Sequence, residues 1–239
     1  MLSPDREVQL RLDQLLSERP NDLHSIAART VLGQLAEAFS YSGLALCGSV
    51  CGGTHHPASD LDLLLVDTSI RRDGQLSALL HGVGIALVCL RADGGEMRAR
   101  KWALQIEGES RLVTLVRSSY MVRDPQGSWE RVHAEAELAA RQRCNDRPEV
   151  RMRLRELANE AAESLRAAPE MRARRNAMRL AAILLEEWMV TRGAGHVLSK
   201  ADEQKLRAAM EEEDPSRYRQ LMTVARNPTP KSLLALVNC

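Results

Sequence analysis

The sequence predicts an α+β protein, with strands and helices mixed in the first half and helices alone in the second. Three observations lead there. Short apolar runs bounded by turn formers, the pattern of buried strands, recur between residues 44 and 122. Helix-spaced apolar residues precede them. Beyond residue 128 the strand pattern disappears and helical segments follow one another between prolines.

Val8, Leu10, Leu12, Leu15 and Leu16 form a first helical stripe, ended by Pro20. Leu23, Ile26, Val31, Leu32, Leu35 and Phe39 form a second, opened by the start signal Asn21-Asp22. Leu44–Cys47 reads as a strand, Gly48–Ser59 as a turn-rich loop, and Leu61–Val66 as a second strand. A helix is expected around Gly74–His81, then a strand over Gly84–Leu90 and an exposed loop over 91–99. Lys101–Glu107 and Arg111–Arg117 read as strands joined by a turn at Gly108-Glu109, with Tyr120–Val122 continuing the last or following it. Helices are expected near 129–143, 148–167, 170–192, 200–213, 216–226 and 230–237. The punctuation at Asp124–Gly127 places a boundary there, giving domains 1–127 and 128–239.

A chain of 239 residues holds one sizeable core or two modest ones. Aromatic residues are only 3%, so the core rests on aliphatic side chains, and a net charge of +1 gives no one-sign field for nucleic acid or membrane. No apolar run reaches the roughly 18 residues that span a bilayer. The opening residues carry charge where a signal peptide needs an apolar stretch, so a cytoplasmic location is expected. Cys47, Cys51, Cys89, Cys144 and Cys239 are too scattered for a disulfide framework, and reduced thiols are expected.

The passage that carries chemistry is Leu46–Val66. Asp60 and Asp62 are two residues apart in a strand-like run, so their side chains share a face. Adjacent carboxylates repel, and a hard divalent cation such as Mg²⁺ removes that penalty. Upstream, Gly48-Ser49 ends a strand, where a turn presents backbone N–H groups and a hydroxyl, and glycine admits phosphate oxygens close to the chain. Phosphate donors facing metal ligands make a triphosphate site.

Gly48-Ser49 followed by Pro57-Ala58-Ser59-Asp60-Leu61-Asp62-Leu63 resembles the signature of the DNA polymerase β-like nucleotidyltransferase superfamily. The nearest flavour is that of bacterial aminoglycoside adenylyltransferases and minimal nucleotidyltransferases. The architectural resemblance extends roughly over residues 22–125, and the C-terminal helices are similar only in kind. It implies a mixed sheet flanked by helices, an all-α C-terminal domain that selects the acceptor, two Mg²⁺ ions on Asp60 and Asp62, and nucleotide contacts from Gly48, Ser49 and Ser59. It also implies a third carboxylate on a later strand. Gly84–Leu90 contains no acid, and Leu112–Val116 has Thr114 where minimal members carry an aspartate. Glu107, on one face of the expected strand with Ala103 and Gln105, is the best substitute, and Glu109 is second. Without such a base, catalysis loses about 10²–10⁴-fold.

Cys47, Cys51, His55 and His56 have zinc-ligand side chains, but Cys47 lies in an apolar run and the others in the phosphate loop, which argues against zinc. Arg100, Lys101 and Trp102 are candidates for phosphate or base contact, with a solvated strand edge the plainer reading. Arginines between 151 and 179 alternate with glutamates, as in solvated ion-paired helices. Glu186, Glu187 and Trp188 are candidates for the acceptor cleft, yet the C-terminal half is not acidic enough to favour a polycationic antibiotic.

The expected function is Mg²⁺-dependent transfer of a nucleoside monophosphate, AMP from ATP, to a hydroxyl of a small acceptor, with release of pyrophosphate. Two other readings stand beside it. One is a nucleotide-binding protein with a weakened site, and the other is a toxin-like transferase acting on RNA or protein.

Overall fold

Ser3 starts the first helix: it is extended, its Oγ accepts from the Arg6 N–H at 3.4 Å, and proline fills the first turn. The structure is a computed structural model and describes residues 3–104, 109–145 and 200–226, together with 148, 149, 152, 156 and 188. Among the described residues the helices are α1 (Pro4–Leu15), α2 (Leu23–Ala38), α3 (Gly48–Cys51), α4 (Gly95–Leu104), α5 (Glu109–Arg117), α6 (Ser128–Asn145), α7 (Lys200–Glu213) and α8 (Pro215–Arg226). The strands are β1 (Gly43–Cys47), β2 (Leu61–Asp67), β3 (Gly74–Leu80), β4 (Val83–Arg91) and β5 (Tyr120–Arg123).

The five strands form one sheet in the order β3-β4-β2-β1-β5. β2 and β4 run parallel, and the other pairings are antiparallel. The α+β class therefore holds, with a mixed sheet flanked by helices. Contacts divide the chain into two compact units, Met1–Arg98 with Leu115–Glu137 and Ala99–Thr114 with Leu138–Cys239. In the first, Val8 and Leu12 of α1 and Ala28 and Leu32 of α2 join Leu44, Leu46, Leu61, Leu63, Leu65, Val83 and Ile85 in a single core. Period-two alternation thus commits the odd-numbered residues of β2 to α1 and α2, and Asp62, Leu64 and Val66 to the opposite face. In the second, the buried Arg143 donates from Nη1 to the Ala103 carbonyl at 3.2 Å, and α7 and α8 pack together with Met210 and Leu221 buried. Among the described residues no helix is long and apolar enough to cross a membrane.

Several expected elements are corrected. Gly74–Leu80 is a strand, not a helix, because it hairpins onto β4 from Gly74↔Cys89 to Leu80↔Val83. The loop is His81-Gly82, both with positive φ (51° and 82°), as the two-residue turns that match strand twist require. Lys101–Leu104 belongs to a helix that begins at Gly95, within what reads as a loop and a strand. Ala99, Trp102 and Ala103 are buried at spacings of three and four, so the helical period governs there. Arg111–Arg117 is likewise helical, with Val113 and Val116 buried three apart. The helices expected at 148–167, 170–192 and 230–237 lie almost wholly outside the described residues.

One buried ion pair fastens the end of β4 to α4 and α6. Arg98 is 6% exposed, and its Nε donates to Glu135 Oε2 at 2.6 Å while its Nη1 donates to the Arg91 carbonyl at 2.6 Å. The other carboxylate oxygen of Glu135 accepts from the Gly95 N–H at 2.5 Å, at the start of α4. Removing Glu135 leaves the buried Arg98 with only the more distant Asp73 carboxylate, 3.5 Å from its Nη1. Glu135→Ala is expected to destabilise the protein by about 3–5 kcal/mol in urea unfolding; a loss below about 1 kcal/mol, the ceiling for exposed pairs, contradicts it.

Candidate nucleotide and metal site

The chain leaves β1 through Gly48, whose φ of +67° is disfavoured for any residue with a side chain. Gly48–Cys51 then makes a single helical turn, closed by Gly52 N–H to Gly48 O at 3.2 Å and Thr54 N–H to Ser49 O at 2.9 Å. Ser49 is half-buried. The loop continues to a turn at His56–Ser59, with Pro57 inside it. There the Ser59 N–H donates to His56 O at 2.8 Å, and Ser59 Oγ accepts from the His56 N–H at 3.0 Å. Ser59, expected as a nucleotide contact, has its hydroxyl engaged in shaping the loop that delivers Asp60.

The two motifs converge. Cys47 is paired with Asp62, so the end of β1 lies beside the start of β2. A Cβ on Gly48 would overlap the Asp62 carboxylate, and a Cβ on Gly84 would overlap that of Asp60. Each acid thus lies over the Cα of a glycine, one from the β1 turn and one from β4. Asp60 is exposed and Asp62 half-buried. Two carboxylates on one face, open on one side and backed by bare glycine backbone, are a donor set that suits a hard divalent cation whose remaining ligands are phosphate oxygens and water.

No third acid completes this pair within the sheet. By register, the β4 residues sharing the Asp62 face are Gly84, Ala86 and Val88, with Ala86 directly beside Asp62. None can bind a metal or take a proton. Thr114 stands on α5, not on a strand, and Glu107 lies outside the described residues. The strand alternation that favoured Glu107 fails, since Lys101–Leu104 is helical. Glu109 is the first residue of α5.

The other candidates separate. Trp102 is 3% exposed and has no open face for a base, while Arg100 is exposed and pairs with Glu149 at 3.9 Å. Trp188 is buried, and Glu186 and Glu187 lie outside the described residues. Burial holds the Cys47 thiol well above its ordinary pKa, helped by the nearby Cys51 and Asp62 charges, and burial also raises Cys51. Among the described residues these cysteines form no metal-ligand cluster with His55 or His56. His55 instead meets Asp22, with Nε2 and Oδ2 2.7 Å apart, and His24 Nε2 lies 2.8 Å from the Ser59 carbonyl. Sequence reasoning missed this grouping of Asp22, His24 and His55; only the helix-start role of Asp22 was legible.

No protein-family model matches the sequence, and no curated protein matches it. Among solved structures, the chain is similar to a nucleotidyltransferase-like protein from Exiguobacterium sibiricum 255-15. The two share 13% identity over 89% of this chain and 74% of the other, with a TM-score of 0.45.

Proposed function

We propose that this protein is a Mg²⁺-dependent nucleotidyltransferase that moves a nucleoside monophosphate, AMP from ATP, onto a hydroxyl of a small acceptor. The observation that carries the reading is the convergence of Gly48-Ser49 with Asp60 and Asp62, each carboxylate lying over a glycine Cα. In this reading the Gly48-Ser49 turn holds phosphate oxygens, and Asp60 and Asp62 hold the metal. Mg²⁺, when bound, neutralises charge on the phosphates and aligns them for displacement. The acceptor oxygen bonds to the α-phosphorus as the bond to pyrophosphate breaks, and the acceptor proton leaves to a base. Glu107 remains the residue proposed for that base. Acceptor choice is proposed to lie with the helices beyond 128.

A second reading, binding of nucleotide without turnover, is favoured by one observation: Gly84, Ala86 and Val88 occupy the β4 face where a third acid belongs. Calorimetry with ATP and Mg²⁺, run beside a transfer assay with labelled NTPs over aminoglycosides, tRNA and cell lysate, separates the two. Pyrophosphate release with label on a small molecule is the expected result. Binding without release favours the second reading, and label on macromolecules moves the acceptor to RNA or protein. Absence of both binding and release overturns the assignment.

A further inference from the structure

Outside the carboxylate pair, the start of α2 and the following loop bring together a second set of metal-ligand side chains. Asp22, His24 and His55 each offer one ligand atom, and these atoms all lie within 4.8 Å of one another. Two imidazoles and a carboxylate form the mixed nitrogen and oxygen set that borderline cations such as Zn²⁺ take in preference to Mg²⁺.

The surroundings fit that role. Both carboxylate oxygens of Asp22 are held by hydrogen bonds. The Ser25 N–H fixes Oδ1 at 2.7 Å, leaving Oδ2 towards His55. A carbonyl oxygen only accepts, so His24 donates its Nε2–H to Ser59 O, and in the neutral ring Nδ1 carries the lone pair. A ring held through one nitrogen by a backbone carbonyl, with the other nitrogen unprotonated, is the usual support of a metal-bound histidine. The His55 side chain is only 6% exposed, and its Nδ1 is buried without a hydrogen-bond partner. Its ring centroid lies 4.9 Å from that of His24. A simple Asp22–His55 pair leaves that buried nitrogen without a partner.

We propose that Asp22, His24 and His55 bind a divalent cation of the zinc class and thereby tie the loop before Asp60 to the start of α2. Metal–ligand bonds of about 2.0–2.1 Å in a tetrahedron place ligand atoms roughly 3.3 Å apart, so side-chain rotations close the site, and a fourth position is left to water. The inference does not depend on the nucleotide reading, because such an ion can be held by a protein that transfers nothing.

The test uses the full chain, stripped with chelator and titrated with Zn²⁺ and with Co²⁺ in the presence of excess Mg²⁺. One equivalent of Zn²⁺ is expected, bound with micromolar or tighter affinity, with a rise in melting temperature. Paramagnetic Co²⁺ is expected to shift the ring signals of two of the six histidines. His24→Gln and His55→Gln keep a side-chain N–H donor and are expected to weaken Zn²⁺ by about 100-fold or more. Asp60→Ala is expected to leave Zn²⁺ affinity unchanged. Failure of the unmodified protein to take up Zn²⁺, unshifted histidine signals, or loss of the ion in Asp60→Ala overturns the proposal. So does binding that survives both glutamine variants.

Discussion

Asp60→Ala is expected to lower Mg²⁺-dependent pyrophosphate release by about 10³-fold or more, since metal stabilisation of the transferring phosphoryl group is worth several kcal/mol and about 1.4 kcal/mol is tenfold. The same change has a different expected effect on stability. Asp60 is exposed and shares a face with Asp62, so removing it relieves repulsion in the metal-free protein. The melting temperature without Mg²⁺ should therefore hold or rise slightly, while the increment added by Mg²⁺ and ATP disappears. Thermal melts with and without Mg²⁺, run beside the transfer assay, check both effects. Undiminished turnover in Asp60→Ala would sink the catalytic assignment, and a large fall in metal-free stability would show the residue to be structural.

The second large effect is expected at Gly48. Gly48→Ala forces a side chain into φ = +67°, at a cost of about 1–2 kcal/mol, and its Cβ would overlap the Asp62 carboxylate. The carboxylate must turn away, and the metal and phosphate groups lose their alignment. Displacement of about 1 Å near reacting groups costs on the order of 10²-fold in rate. Gly82→Ala is the matched control, because Gly82 also has positive φ (82°) but nothing within 4 Å of the added Cβ. Gly82→Ala should lose only the backbone part of that stability in urea unfolding, and only Gly48→Ala loses Mg²⁺ and ATP binding by calorimetry. Equal loss of binding in both, or in neither, contradicts the role given to Gly48.

The carboxylate pair and the Gly48-Ser49 turn were legible because each is local in sequence and the period of a strand puts Asp60 and Asp62 on one face. What lies beneath them was not. Gly84 supports Asp60 only through the β2–β4 register, which no local pattern encodes. The run Leu112–Val116 is rich in β-branched and aliphatic residues and reads as a strand, yet burial of Val113 and Val116 on one side makes it helical. Gly74–Leu80 reads as a helix because Leu76, Leu79 and Leu80 have helical spacing. As a strand exposed along nearly its whole length, it carries no alternation between a dry and a wet face, and the signal missed was His81-Gly82. Asp22, His24 and His55 escaped for another reason: the two ends of that cluster come from separate segments, and the cysteine spacing beside His55 and His56 pointed to thiols that take no part in it.

The strand order has a consequence for how long the site survives local opening. Sheets fray from their borders, and here the borders are β3, exposed on both faces, and the short β5. Asp62 lies on β2, at the centre of the five, and Asp60 and Gly48 adjoin β2 and β1, each hydrogen-bonded to neighbours on both sides. Partial opening of an outer strand therefore leaves Gly48 and the two carboxylates in place, and their mutual geometry is lost only when the middle of the sheet comes apart.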